Sequence, residues 1–267
     1  MENRAWSLQL KDRNSQNLHI AVYPNFFPVA YIERGDVTGL DIDLLVEFCR
    51  ATGLNPVFHV KKDFSKMWGV SGEWRSNVDM ACGGIGMTTW RTSDNIEWSL
   101  PYFRVQRTVV FNKKDPIISF PRDVTGLVYG TDGSTGYDDA RERLAAEGKE
   151  HLLVNRSSSD VQDTQDLLRG KVQGLVRGSF VGRAIVGKYP RELDMTEPWD
   201  ISNNLVPTEG EVFAFPCRRG SGIAALLNVF IYEMERSGML AKLSRRHYME
   251  ADQARALTAR TARHQQQ

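Results

Sequence analysis

Three short apolar runs separated by helical patterns fill the first third of this chain, and that alternation limits the fold more than any other feature. Leu18-His19-Ile20-Ala21-Val22-Tyr23 alternates and is rich in β-branched residues, which predicts a strand. Pro24, Asn25 and Pro28 break it. Residues 41–49 then place apolar side chains at 42, 45, 46 and 49, a helical spacing. Asp41 and Asp43 lie where acidic side chains favour a helix start, and Gly53 ends the helix. Residues 57–60 predict the next strand, 64–74 a helix or broken turn, and 78–82 a third strand. This β-α-β-α-β order predicts a sheet with helices on its faces. Ligands bind such sheets where loops leave the carboxyl ends of the strands.

The loop after the third strand reads Gly83-Gly84-Ile85-Gly86-Met87-Thr88-Thr89-Trp90-Arg91. Glycine lets main-chain N–H groups approach a ligand closely. Thr88 and Thr89 can donate from hydroxyls, and a guanidinium grips a carboxylate in a bidentate fork. No acceptor within the segment matches these donors, so the loop reads as a clamp for a small carboxylate. A tight turn followed by a solvated arginine is the competing reading.

A second region repeats the layout. Residues 105–113 predict a strand, Lys114-Asp115-Pro116 a turn, and Gly126-Leu127-Val128-Tyr129-Gly130 another strand. Gly133-Ser134-Thr135-Gly136 then precedes a helix over 138–147, an arrangement that favours anions at a helix start. A strand at 152–154, a helix over 160–169 and a strand at 171–176 lead to Arg177-Gly178-Ser179. Further on, 212–215 reads as a strand and 222–235 as a helix with a short one after it. Residues 1–16 and 250–267 are expected to be loose. Two similar α/β regions, each with an anion-friendly loop, suggest a ligand held between them.

At 267 residues the chain has room for one large domain or two smaller ones. Its net charge of +1 argues against nucleic acid as a partner. No apolar run approaches the 18 or so residues of a membrane span. Three cysteines, Cys49, Cys82 and Cys217, lie far apart without metal-ligand spacing, which predicts buried free thiols, no metal site, and a slight lean to a reducing compartment. The five histidines are scattered, and none forms a nucleophile–base motif with Ser or Cys. The N-terminus lacks a basic stretch followed by an apolar one. The chain as it stands is therefore expected in the cytoplasm, or outside it if a leader was trimmed.

Six ordered segments together resemble the family 3 extracytoplasmic solute-binding proteins. These are the polar-amino-acid receptors of ABC importers, related to the ligand-binding domains of ionotropic glutamate receptors. The segments are Thr38-Gly39-Leu40-Asp41-Ile42-Asp43-Leu44, the stretch from Val78-Asp79 to Thr88 and Arg91, Trp98-Ser99-Leu100-Pro101-Tyr102, Gly133-Ser134-Thr135, Gly170-Lys171-Val172-Gln173-Gly174, and Leu227-Asn228 with Ser237-Gly238. The resemblance implies an α/β, two-lobe periplasmic-binding-protein-like (type II) clamshell with two hinge strands, near 110–115 and 206–212. Lobe 1 takes 17–112 and 208–249, and lobe 2 takes 113–207. By similarity, Arg91 holds the ligand carboxylate with main-chain groups near Gly84 and Gly86 and the Thr88 hydroxyl. Ser134 and Thr135 reach the same group from lobe 2. Phe26 lies where such proteins set an aromatic over the ligand, or else packs in the core, and Trp68 and Trp90 are further wall candidates.

One departure bears on the ligand. Amino-acid binders end the strand after Gly-Lys-Val with an acid that pairs with the ligand's ammonium, and here Gly178 fills that slot. Asp160 and Asp163 are nearby acids, but no motif positions them. Arg177 beside Gly178 either faces the cleft, which suits a dicarboxylate or an acid without ammonium, or is a solvated strand end. The expected function is capture of an amino acid or dicarboxylate-like solute for an ABC permease, by a monomer without cofactor or catalytic activity. The alternatives are a cyclohexadienyl dehydratase-like enzyme on the same fold and a cytoplasmic ligand-sensing module.

Overall fold

Ten of the described strands form two five-stranded sheets, each built within one of two units of the chain. In this computed structural model the described residues are 16–64, 67, 78–131, 133–156, 159–201 and 210–247. The first unit takes those within Met1–Pro24, Val29–Arg104 and Asn203–Ser244. The second takes those within Asn25–Pro28, Val105–Ser202 and Arg245–Gln267. Residues 65–66, 68–77 and 202–209 lie outside the described set, so most of the 64–74 helix or broken turn, Trp68 and most of the 206–212 hinge strand lie there too.

In the first unit the sheet order is Asn55–Val60, Asn17–Val22, Met80–Cys82, Pro216–Arg218, Ile96–Trp98. Asn17–Val22 is parallel to both its neighbours, as the β-α-β reading requires. Helix α1 (Leu40–Thr52) carries Asp41 and Asp43 in its first turn and ends at Gly53, whose φ of 72° suits the left-handed cap. Its apolar face buries Leu44, Leu45 and Phe48. Phe48 meets Phe230, from the helix Ile223–Arg236, edge-on at 5.6 Å.

The second unit's sheet order is Leu153–Arg156, Val128–Thr131, Gly174–Gly178, Arg107–Asn112, Leu193–Met195. Arg107–Asn112 is thus an interior strand, antiparallel to both neighbours. Helix α2 (Thr135–Ala146) starts at Ser134, whose side chain accepts the Tyr137 N–H, and α3 (Asp160–Leu168) starts at Ser159, which caps it in the same way. Helix α4 (Ser179–Lys188), absent from the sequence reading, begins directly at the end of the Gly174–Gly178 strand. Val109, Ile117, Val124, Val128, Ala140 and Leu144 form the centre of this unit's core.

All three cysteines are buried free thiols. Burial pushes the Cys49 thiol up to about 12 and the other two well above their ordinary range.

His19 and His59 lie on adjacent parallel strands, with His19 Nδ1 2.9 Å from His59 Nε2. Burial, then the charges of His19 and Lys61, lowers the His59 pKa from 6.5. A depressed folded-state value means that the stability contributed by neutral His59 is present above the ordinary histidine range and lost as pH falls through the lower folded value. The thermal midpoint should therefore drop between about pH 7 and about pH 5, and His59→Gln should flatten that drop. An unchanged pH slope in the variant would contradict this role.

Candidate functional site

The glycine loop leaves the centre of the first unit's sheet at Cys82. Gly83 has φ 124°, and a Cβ there would lie 2.9 Å from the Tyr23 carbonyl oxygen, so only glycine fits this path. Asp41, fully buried in the first turn of α1, faces the loop. Its Oδ2 accepts the Gly83 N–H at 2.8 Å and the Gly84 N–H at 2.9 Å, and its Oδ1 accepts the Tyr102 hydroxyl at 2.7 Å. Burial first, then the Asp41 charge, pushes the Tyr102 pKa well up, which keeps that hydroxyl a donor. The loop's first two amides, which the sequence left without an acceptor, are thus satisfied inside the protein. Gly84's N–H orders the loop.

Arg91 is 1% exposed. Its Nη1 donates to the Gly86 carbonyl at 2.8 Å, and its guanidinium lies 5.5 Å from the Phe64 ring centroid and 4.5 Å from that of Trp90. Two aromatic faces and a carbonyl fix the plane of the fork. Thr88 Oγ1, two residues beyond Gly86, is buried and has no hydrogen-bond partner among the described residues.

The neighbouring Glu211–Phe213 strand reaches this loop through the register. Gly86 forms a bridge with Phe213, and Met87 N–H donates to the Val212 carbonyl at 3.0 Å. That pairing places Glu211, itself 2% exposed, beside the clamp. A Cβ on Gly86 would lie 2.7 Å from Glu211 Oε1 and 3.1 Å from Arg91 Nη1. The missing side chain of Gly86 is the space in which a buried acid and a buried base come together.

In the second unit, Ser134 spends its hydroxyl on the start of α2, accepting from Tyr137 N–H and donating to the Thr131 carbonyl. Thr135 Oγ1 accepts from Arg107 Nη2 at 2.7 Å, and both residues are largely buried. Arg107 pairs in register with Gly178, and a Cβ on Gly178 would sit 3.7 Å from Arg107 Nη1. The position where an acid was expected is therefore occupied by glycine and bordered by a guanidinium. Phe26 also belongs to this unit, with its ring 5.6 Å from that of Phe180.

Arg177 faces the α3 side. Its Nε donates to Asp160 Oδ1 at 2.7 Å, its Nη2 to Asp163 Oδ2, and its Nη1 to the Val176 carbonyl. This corrects both sequence readings of Arg177, for it is neither solvated nor directed at a ligand through its own donors. Its buried charge is matched by the two aspartates that the sequence could not position.

Arg91 and Gly86 are thus brought together, with Glu211 as the member that the sequence reading missed. The available signal was an acid opening an otherwise apolar strand, Glu211-Val212-Phe213. Asp41 and Arg107 were likewise unread as partners, because each meets groups far from it in the chain. Among the described residues no group of His, Cys, Asp or Glu is arranged to hold a metal ion, and no helix is long and apolar enough to cross a membrane.

Residues 18–250 match the bacterial extracellular solute-binding proteins, family 3. A probable histidine-binding protein of Campylobacter jejuni is 19% identical over 240 residues, covering 87% of this chain and 85% of that protein. An ancestral arginine-binding protein bound to arginine superposes with a TM-score of 0.73 at 21% identity, covering 86% of this chain and 97% of that one. The amino acid ABC transporter substrate-binding protein AbpA from Streptococcus pneumoniae, bound to L-arginine, gives 0.73 at 19% identity, with 88% and 96% covered. These likenesses establish the α/β two-lobe fold of periplasmic binding proteins.

Proposed function

We propose that this chain, which belongs to the bacterial extracellular solute-binding proteins of family 3, captures an amino acid by its carboxylate at Arg91 and presents it to an ABC permease. It is a binding receptor and not an enzyme, as its family is. The observation that carries the ligand assignment is the Arg91 fork, held rigid by Phe64, Trp90 and the Gly86 carbonyl, with a buried Thr88 hydroxyl in the same loop. A preorganised guanidinium suits the two oxygens of a carboxylate. The relatives described as binding arginine and histidine make those two amino acids the first candidates.

The second unit supports an anionic group on its own terms, through Thr135 and Arg107 at the first turn of α2. We assign Ser134 a capping role there.

Calorimetric titration with the twenty L-amino acids, succinate and prephenate tests the proposal. At least one amino acid should bind and, at about 100 times its Kd, stabilise the fold by about 2.7 kcal/mol. Binding by none of them, or steady turnover of prephenate, would overturn it.

A further inference from the structure

We infer that Glu211 is the specificity-determining acid of this receptor, reading the ammonium of a zwitterionic ligand whose carboxylate Arg91 holds. The inference rests on the assignment of Arg91 above and adds the ligand's charge pattern to it. Glu211 Oε1 and Arg91 Nη1 approach one point, the absent Cβ of Gly86, to 2.7 and 3.1 Å. Both side chains are nearly fully buried. An amino acid carries its opposite charges on adjacent atoms, so a buried base and a buried acid side by side complement it, charge for charge. A simple carboxylate meets the same pair differently: Arg91 attracts it and Glu211 repels it at close range, with little solvent to screen either.

The second unit cannot make this selection at Gly178. That strand end has no side chain, and a Cβ there would meet Phe180 at 3.2 Å and Val105 at 3.5 Å, with Arg107 Nη1 next at 3.7 Å. Arg177 is engaged by Asp160 and Asp163, which leaves those aspartates matched to an internal cation. Glu211 is thus the acid that stands beside the clamp. Gly86 is part of the device, because any side chain there would displace the carboxylate.

The experiment compares each bound L-amino acid with the same molecule lacking its α-ammonium, for instance L-histidine with 3-(imidazol-4-yl)propanoate and L-arginine with 5-guanidinopentanoate. Wild-type protein should prefer the amino acid by about 30-fold or more, the ratio expected for a buried charge pair left half-made. Glu211→Gln should erase most of that preference by weakening the amino acid and not the analogue. Equal wild-type affinity for amino acid and analogue overturns the inference, with no dependence on a variant that folds. So does a Glu211→Gln protein that retains the preference, or one that binds both molecules more tightly, which would make Glu211 a mere counter-ion of Arg91. If the analogue binds and Arg91 is required for it, the carboxylate assignment survives the loss of the Glu211 inference. If neither molecule of any pair binds, both fall.

Discussion

Replacing Arg177 with methionine should destabilise the fold by about 3–5 kcal/mol while leaving ligand affinity within about two-fold. Arg177 is the shared cation for Asp160 and Asp163, with side-chain exposures of 3%, 20% and 2%. Removing it keeps the packing volume and strands two carboxylates, one of them nearly fully buried. Arg156 Nε lies 3.7 Å from Asp163 Oδ1 and compensates in part, which places the loss toward the lower end of that range. Denaturant unfolding midpoints measure the loss, and calorimetric titration measures the affinity. A stable variant that has lost its ligand would reverse the assignment and return Arg177 to the binding site.

The pH dependence of that loss follows from Asp160. Burial raises its pKa, and the Arg177 charge and hydrogen bond pull it down. Without Arg177 burial acts with less opposition, so the folded state holds the proton to higher pH than the unfolded chain does. A raised carboxyl pKa favours the folded state at low pH, and that contribution is lost as pH rises through the folded value. The deficit of Arg177→Met should therefore shrink as pH falls toward the carboxylate range.

Local periodicity carried most of the fold. The strands around Ile20 and Val57 and the helices at 40–52 and 223–236 follow from alternation, helical spacing and glycine stops. The Ser179–Lys188 helix escaped because eight of its ten residues are buried and two are glycine. It has no polar face to set a 3.6-residue period against, and glycine weakens any helical propensity. Residue types likewise singled out Arg91 and Thr88, as donors in a glycine loop, beside the competing reading of a turn with a solvated arginine. Partnerships were a different matter. Asp41 reads as a helix-start acid, yet its carboxylate satisfies two amides 42 and 43 residues away. Glu211 is brought to the loop by the pairing of its strand at Gly86 and Phe213. Pairings of that range are fixed by sheet register, which one sequence does not print. The sequence therefore located the charges of the clamp and of Arg177 without the counter-charges that decide what each of them does.

Arg91→Ala should remove measurable binding, a loss of about 30-fold to more than 1,000-fold, because truncating one partner of a buried charged pair costs about 2–5 kcal/mol or more. Arg91→Lys should recover little of it, since an ammonium reproduces neither the planar fork nor the stacking against Trp90 and Phe64. The alanine variant alone is ambiguous: it leaves Glu211 buried beside an uncharged site, and a misfolded protein also fails to bind. Arg91→Met combined with Glu211→Gln removes both charges at nearly constant volume. Removing both buried charges together leaves neither one stranded. The double variant should therefore melt closer to wild type than Arg91→Ala does and still bind no amino acid. Should it fold and bind as wild type does, the carboxylate is held elsewhere. Should it fold and stay empty, the buried charges of Arg91 and Glu211, and not the integrity of the loop, are what capture the ligand.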